Sequence, residues 1–253
     1  MDNRPPESSA TIEGQLNARE RAFIFDTIAN APVKTRVALE VGTWLGGGST
    51  LHILRALEKN GMGHLYGIEA DRSIYERMIA NIRGAAPEAA GRFTPLFGMS
   101  MEVLPSLLKS LPEDQAIGFA FLDGGDSPLE QIEEFKLLAP HICAGGVLAA
   151  HDARMRKGKW LAPYVSLLDN WKSEVLDLSV EGVFSAHKLA AEPSPASLRA
   201  AERKLARMRL EPKEFLSRFM PRWCRGLVLR LLPRHLSRRL TLGPNVAKLD
   251  NPA

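Results

Sequence analysis

Read for hydrophobic period alone, the chain alternates short apolar runs with longer stretches in which apolar residues return every three or four positions. The runs fall at 37–41, 64–69, 92–98, 116–122 and 147–150, each of strand length. Between and around them, helical spacing is read over 11–31, 49–60, 73–83, 101–111, 129–138 and 160–172. In the first helix Leu16, Phe23, Ile24 and Ile28 share one side, with Glu13, Arg19, Glu20 and Arg21 on the other; in the third, Ile74, Met78 and Ile82 recur four apart. The run at 116–122 is the most apolar and is expected at the centre of a sheet. Two last strands, 175–180 and 183–189, are joined by Glu181-Gly182. Strands alternating with helices at this spacing predict an α/β fold with right-handed crossovers and a parallel sheet covered on both faces.

Polar residues gather where the strands end. Glu40 precedes a loop running from Gly42 through Thr43, Trp44, Gly46 and Gly48 to Ser49; Glu69 and Asp71 close the second strand, Asp123 the fourth, and His151-Asp152 the fifth. In open α/β sheets ligands bind outside the carboxyl ends of the strands, so one pocket is expected to collect these groups. Glycine admits something close to the backbone, and spacing narrows what that is. A phosphate loop needs Lys where this chain has Gly48, and the dinucleotide fingerprint needs Gly where it has Trp44. What remains is acid-x-Gly-x-x-x-Gly-x-Gly-Ser, made by Glu40, Gly42, Gly46, Gly48 and Ser49.

That loop resembles motif I of the class I methyltransferases that use S-adenosylmethionine (SAM). Together with Gly98-Met99-Ser100, Phe121-Leu122-Asp123-Gly124, Gly145-Gly146-Val147 and His151-Asp152, it is similar to the bacterial type 24 methyltransferases and, more distantly, to catechol O-methyltransferase. The resemblance implies a Rossmann-like, mostly parallel seven-stranded sheet closed by an antiparallel pair. It also implies SAM as cofactor, held by Glu40, Gly42, Thr43, Trp44, Gly46, Gly48, Ser49, Glu69, Ser100 and Asp123. Glu69 would accept both ribose hydroxyls, the alternative being a solvated acid. Ser100 would lie near the adenine or cap the helix after it. In catechol-type relatives the positions of Asp123 and Asp152 hold a divalent cation, which implies magnesium here. The alternative has Asp123 contact the cofactor's amino group and Asp152 cap a loop. His151 is the general base by residue type, with an ordinary pKa of ~6.5, against the alternative of a structural histidine. Asp152 and Asp126 complete the catalytic candidates. Asp126 stands where the type 24 pattern carries His, and no lysine base is read beside it.

Composition changes the picture mainly at the C-terminus. With 45% hydrophobic and 25% charged residues the chain is ordinary globular material. Its net charge of +4 hides 13 Lys and Arg against three acids between Leu198 and Leu240, which leaves the preceding part net acidic. Three regions are expected: 1–35 with the N-terminal helix, 36–190 as the SAM-binding domain, and 191–253 as a basic amphipathic extension in which Trp223, Leu227 and Leu231 recur among arginines. The extension reads as a helix packing on the body or a second subunit, with contact to an anionic membrane as an alternative and nucleic acid the least favoured. Cys143 and Cys224 are too few for a zinc pattern or disulfide framework, and no run reaches membrane-spanning length, so a cytoplasmic protein, peripheral at most, is expected. The expected activity is O-methylation of a hydroxyl on a small molecule or glycan. RNA or protein methylation guided by the tail, and a non-catalytic SAM-binding fold with a docking tail, are the alternatives.

Overall fold

The computed structural model of the chain describes residues 12–112 and 115–210. Helix α1 (Ala18–Ala29) precedes β1 (Val37–Val41), α2 (Thr50–Lys59), β2 (His64–Glu69), α3 (Arg72–Ala85), β3 (Phe93–Phe97) and α4 (Ser100–Ser110). β4 (Ile117–Leu122), α5 (Pro128–Leu138), β5 (Ile142–Ala150), α6 (Leu161–Val165), β6 (Trp171–Leu176), β7 (Val183–Lys188) and α7 (Pro195–Arg209) follow. The strands form one sheet in the order β3-β2-β1-β4-β5-β7-β6. All neighbours pair in parallel except β7, which runs antiparallel to both β5 and β6. This is the Rossmann-like class I methyltransferase arrangement, with the most apolar strand, β4, fourth of seven.

Alternation along the central strands sends side chains to two buried faces. Ala38, Leu65, Phe119, Phe121, Val147 and Ala149 face a core shared with Ile24 and Ile28 of α1, Ile53, Leu54 and Leu57 of α2, and Met78 and Ile82 of α3. Their neighbours Leu39, Ala120, Leu122 and Leu148 are equally buried on the opposite face. Burying one such large side chain stabilises by about 1.5–3 kcal/mol, so two complete faces hold the strand ends rigidly. The topology reverses between β1 and β4, whose carboxyl ends sit side by side as Val41↔Leu122.

Two compact units are distinguished, Met1–Ala201 and Glu202–Ala253. The sheet belongs to the first; in the second, only 202–210, the end of α7 and the residue after it, are described. Trp223, Leu227, Leu231 and Cys224 lie outside the described residues. Among the described residues no helix is long and apolar enough to cross a membrane.

The structure corrects three readings of the pattern. The helix expected over 160–172 ends at Val165, and Trp171 and Lys172 open β6 opposite Lys188 and His187. There the Asn170 amide donates to the carbonyls of Ala190 and Ala191, and the Trp171 ring packs tilted against Phe135 with centroids 5.5 Å apart, so tertiary contacts override the helical spacing. β5, expected over 147–150, begins already at Ile142, because residues 143–146 bulge within the strand between the Ile117↔Ile142 and Phe119↔Val147 pairs. Glu20, assigned to the outer side of the first helix, is only 2% exposed.

Candidate active site

At the carboxyl end of β1 the glycine loop turns through left-handed backbone at Gly42 (φ 85°), Trp44 (φ 48°) and Gly46 (φ 88°). A Cβ on Gly42 would lie 2.7 Å from the backbone of both Asp123 and Gly124, so this glycine lets β1 and β4 end together. Gly47 serves a different contact: a Cβ there would meet the carbonyl oxygens of Ile12 and Glu13 at 2.2 and 2.5 Å. Part of the loop's glycine content therefore admits the chain's own N-terminal segment. Glu40, fully buried on β1, bonds the hydroxyls of Ser49 and of Thr50 (2.8 Å), anchoring the loop to the start of α2. Burial pushes its pKa up to about 8 against these hydroxyl bonds.

Glu69 ends β2 with its carboxylate fixed by backbone donors. Trp44 N–H donates to Oε2 and Asp71 N–H to Oε1, both at 3.0 Å, and the Thr43 hydroxyl lies 3.4 Å from Oε2. A carboxylate offers about four acceptor positions, so Oε1 keeps one, and a ligand hydroxyl that displaced the long Thr43 contact would take the second on Oε2. This suits a vicinal diol such as a ribose. Ser100 is buried at the start of α4 and does not cap it; its hydroxyl donates to Glu134 of α5 at 2.5 Å. Burial raises Glu134 to about 7 despite that bond.

Beyond the ends of β4 and β5 opens a cavity of about 370 Å³. Gln15, Asn17 and Glu20 line it from the N-terminal side, Asp123, His151 and Asp152 from the strand ends, Lys157 from the loop after β5, and Ser179 and Glu181 from the β6–β7 turn. Every lining residue is polar or charged. Lys157 Nζ lies 2.7 Å from Asp123 Oδ1 and 3.0 Å from Asp152 Oδ2, joining the two acids. His151 Nε2 pairs with Glu20 Oε1 at 3.0 Å, and its Nδ1 lies 3.3 Å from Asp152 Oδ1 and 3.5 Å from Asp123 Oδ1. Burial disfavours the imidazolium, but Asp123, Asp152 and Glu20 outweigh it and lift the pKa to about 9. In Lys157, too, burial is outweighed by the two aspartates, and the ammonium is held above its ordinary pKa.

By spacing, Asp123, His151 and Asp152 could hold a metal ion, since one ligand atom of each lies within 4.8 Å of the others. The donor set as arranged does not suit one. The oxygens that would bind a divalent cation already bind an ammonium, and unit like charges about 4 Å apart oppose each other by ~4 kcal/mol even at an effective dielectric of ~20.

The structure brings Glu40, Gly42, Thr43, Trp44, Gly46, Gly48, Ser49, Glu69 and Asp123 to one side of the strand ends, and His151 and Asp152 beside Asp123. Asp126 stands apart: it is exposed, does not line the cavity, and its backbone oxygen receives Arg156 at 3.4 Å. Of the five ion-paired side chains, sequence reasoning missed two, Glu20 and Lys157. Glu20 carried a signal, the Asn17-x-x-Glu20 capping box: Asn17 Oδ1 accepts from the N–H of Arg19 and Glu20, and Glu20 Oε2 accepts from Asn17 N–H at 2.9 Å. Its other oxygen is the one that meets His151. Lys157 was sought beside Asp126 and arrives instead from five residues after Asp152.

Residues 39–153 match the model of a family described as a methyltransferase domain. Fold and match together define the class, a class I methyltransferase domain. The model that residues 39–153 match is that of the type 24 group. Comparison with curated protein sequences gives no match. Among solved structures, the chain is similar to the O-methyltransferase TomG from Streptomyces achromogenes, involved in tomaymycin synthesis and solved with SAM, at 18% identity and a TM-score of 0.58 over 69% of this chain and 82% of that one. An O-methyltransferase from Bacillus cereus in complex with SAH is similar at 17% identity, TM-score 0.57, over 69% and 82%. A methyltransferase from Geobacter sulfurreducens is similar at 13%, TM-score 0.55, over 69% and 80%.

Proposed function

We propose that the chain is a SAM-dependent O-methyltransferase whose acceptor is a hydroxyl of a polar small molecule or a glycan. The observation that carries the reading is the Glu69 carboxylate, fixed by the backbone of Trp44 and Asp71 beside the glycine loop, on the same edge of the sheet as a cavity lined by polar and charged residues. Glu69 and the loop from Gly42 to Ser49 would hold the cofactor, and the SAM and SAH found in structures of the same fold support that choice. Bound SAM would supply an electrophilic methyl group on a sulfonium, its C–S bond breaking as the acceptor's O–C bond formed and the electron pair staying on sulfur as a neutral thioether.

The chain's own residues align the acceptor and take its proton. A ring charged up to pH about 9 accepts no proton at neutrality, so His151 positions the acids around it and the carboxylates are the acceptors. Asp152 is the most exposed of the three, with its side chain 25% accessible against 16% for Asp123 and 3% for Glu20, and it receives the hydroxyl proton. An oxygen that has gained a methyl group is strongly acidic until it loses that proton, so a carboxylate suffices. The polar lining selects a hydroxylated acceptor over a flat aromatic one, because an apolar ring would strip hydration from these charges without replacing it. Tritiated-methyl SAM offered with panels of polyols, saccharides and catechols tests the assignment. Label is expected in a polyol or saccharide and to fall with Asp152→Asn; transfer confined to catechols would contradict it.

A further inference from the structure

We propose that Lys157 is the resident cation of the acceptor site, and that the site aligns its hydroxyl without a divalent metal. The proposal rests on the acceptor-site reading above. The ammonium makes three short contacts, to Asp123 Oδ1 at 2.7 Å, Asp152 Oδ2 at 3.0 Å and the Asp123 carbonyl oxygen at 3.2 Å. An ammonium has three donors, so all are committed to the two strand ends. The side chain is 12% accessible, and its four-carbon stem is therefore packed rather than waving into solvent.

The loop that delivers it is built tightly. Gly158, the next residue, lies so close to the preceding turn that a Cβ there would meet the Asp152 carbonyl oxygen at 2.3 Å and Ala153 Cα at 2.7 Å. Met155 N–H donates to that same oxygen at 2.9 Å, and Ala153 and Arg154 N–H donate to Gly182 and Glu181 at 3.0 and 2.8 Å. Asp152 itself sits at φ 58°, a conformation an L-residue adopts at a cost. This turn aims both Asp152 and Lys157 at Asp123. Two carboxylates brought together at adjacent strand ends need a positive partner, and the backbone here places one in register.

Lys157 acts as a positioning residue. With its donors spent, it holds Asp123 and Asp152 in place and leaves Asp152 Oδ1, on the His151 side, to meet the acceptor. Mn²⁺ is the probe. The full chain is titrated with MnCl₂ and followed by electron paramagnetic resonance, and its melting temperature is measured in EDTA and in MgCl₂. The wild type is expected to bind no Mn²⁺ below ~1 mM and to melt identically in both buffers. Lys157→Ala releases Asp123, His151 and Asp152 and is expected to bind Mn²⁺ about tenfold tighter or more, with a magnesium-dependent rise in melting temperature. Lys157→Arg keeps the charge and is expected to stay as indifferent to Mn²⁺ as the wild type. Micromolar Mn²⁺ binding by the wild type would overturn the proposal, whether or not the alanine variant folds; so would a folded Lys157→Ala that gains no affinity. SAM titrated into the same wild-type sample keeps the two readings apart, because failure to bind SAM would sink the methyltransferase function and leave the Mn²⁺ result standing.

Discussion

The two halves of the site handle charge in opposite ways. At the cofactor end, the buried Glu40 carries no ionised partner and burial drives its pKa to about 8, so the acid is neutral at pH 7 and holds the loop through hydroxyls. At the acceptor end, Glu20, Asp123 and Asp152 are paired with the cations His151 and Lys157, and the acids lift His151 to about 9. One half is built on two short stretches, 40–50 and 69–71, with backbone donors fixing Glu69. The other gathers side chains from residues 15–20, 123, 151–157 and 179–181. Binding and chemistry should therefore come apart under mutation.

Gly42 is where the halves touch, so its loss should be the most damaging. Gly42→Ala combines a φ of 85° with backbone 2.7 Å away and is expected to cost about 3–5 kcal/mol in denaturant unfolding, removing cofactor binding with it. Gly61→Ala shares the positive φ, at 70°, but meets nothing within 4 Å and should cost only about 1 kcal/mol. Equal losses would mean that strain rather than the β1–β4 junction sets the effect.

Next in size are the changes that separate the halves. Glu69→Ala removes the acceptors offered to a ribose and should weaken SAM by about 1.5–3 kcal/mol with little change in melting temperature. Glu20→Gln retains the oxygen that caps α1 but loses the ion pair to His151. It should lower kcat about tenfold or more while SAM affinity stays within about twofold. Loss of SAM affinity in Glu20→Gln would show that the two ends are coupled.

The smallest expected effect is on pH dependence. His151 has a folded pKa above its unfolded value, so its contribution to stability is complete below about 6.5 and is lost as pH rises through about 9. Glu40 also binds its proton more tightly when folded, and that contribution declines from about 4.5 to about 8. Wild-type stability should therefore fall between pH 6.5 and 9, and His151→Asn should flatten the part above pH 8, a difference of about 1–2 kcal/mol. Glu20, Asp123, Asp152 and Lys157 all face this ring, and an unchanged slope in the variant would mean that His151 is not its source.

The same division explains what the sequence made legible. Strand runs, the glycine loop and the acids after β2, β4 and β5 are local patterns, and they place the sheet and the cofactor end. Glu20 is invisible to periodicity because it sits on the polar side of an amphipathic helix, and only the fold of α1 over the strand ends buries it. Lys157 belongs to no motif; its role comes from the turn at Asp152 and the closeness of Gly158. The false helical reading over 160–172 has the same origin, since apolar spacing continued past Val165 while contacts with β7 and Phe135 determined the strand.

Calorimetric titration of SAM into the wild type and Glu69→Ala tests the central claim most directly. The account predicts micromolar binding by the wild type and a loss of about tenfold or more in the variant. No heat of binding at millimolar SAM, or equal affinity in both proteins, would contradict it.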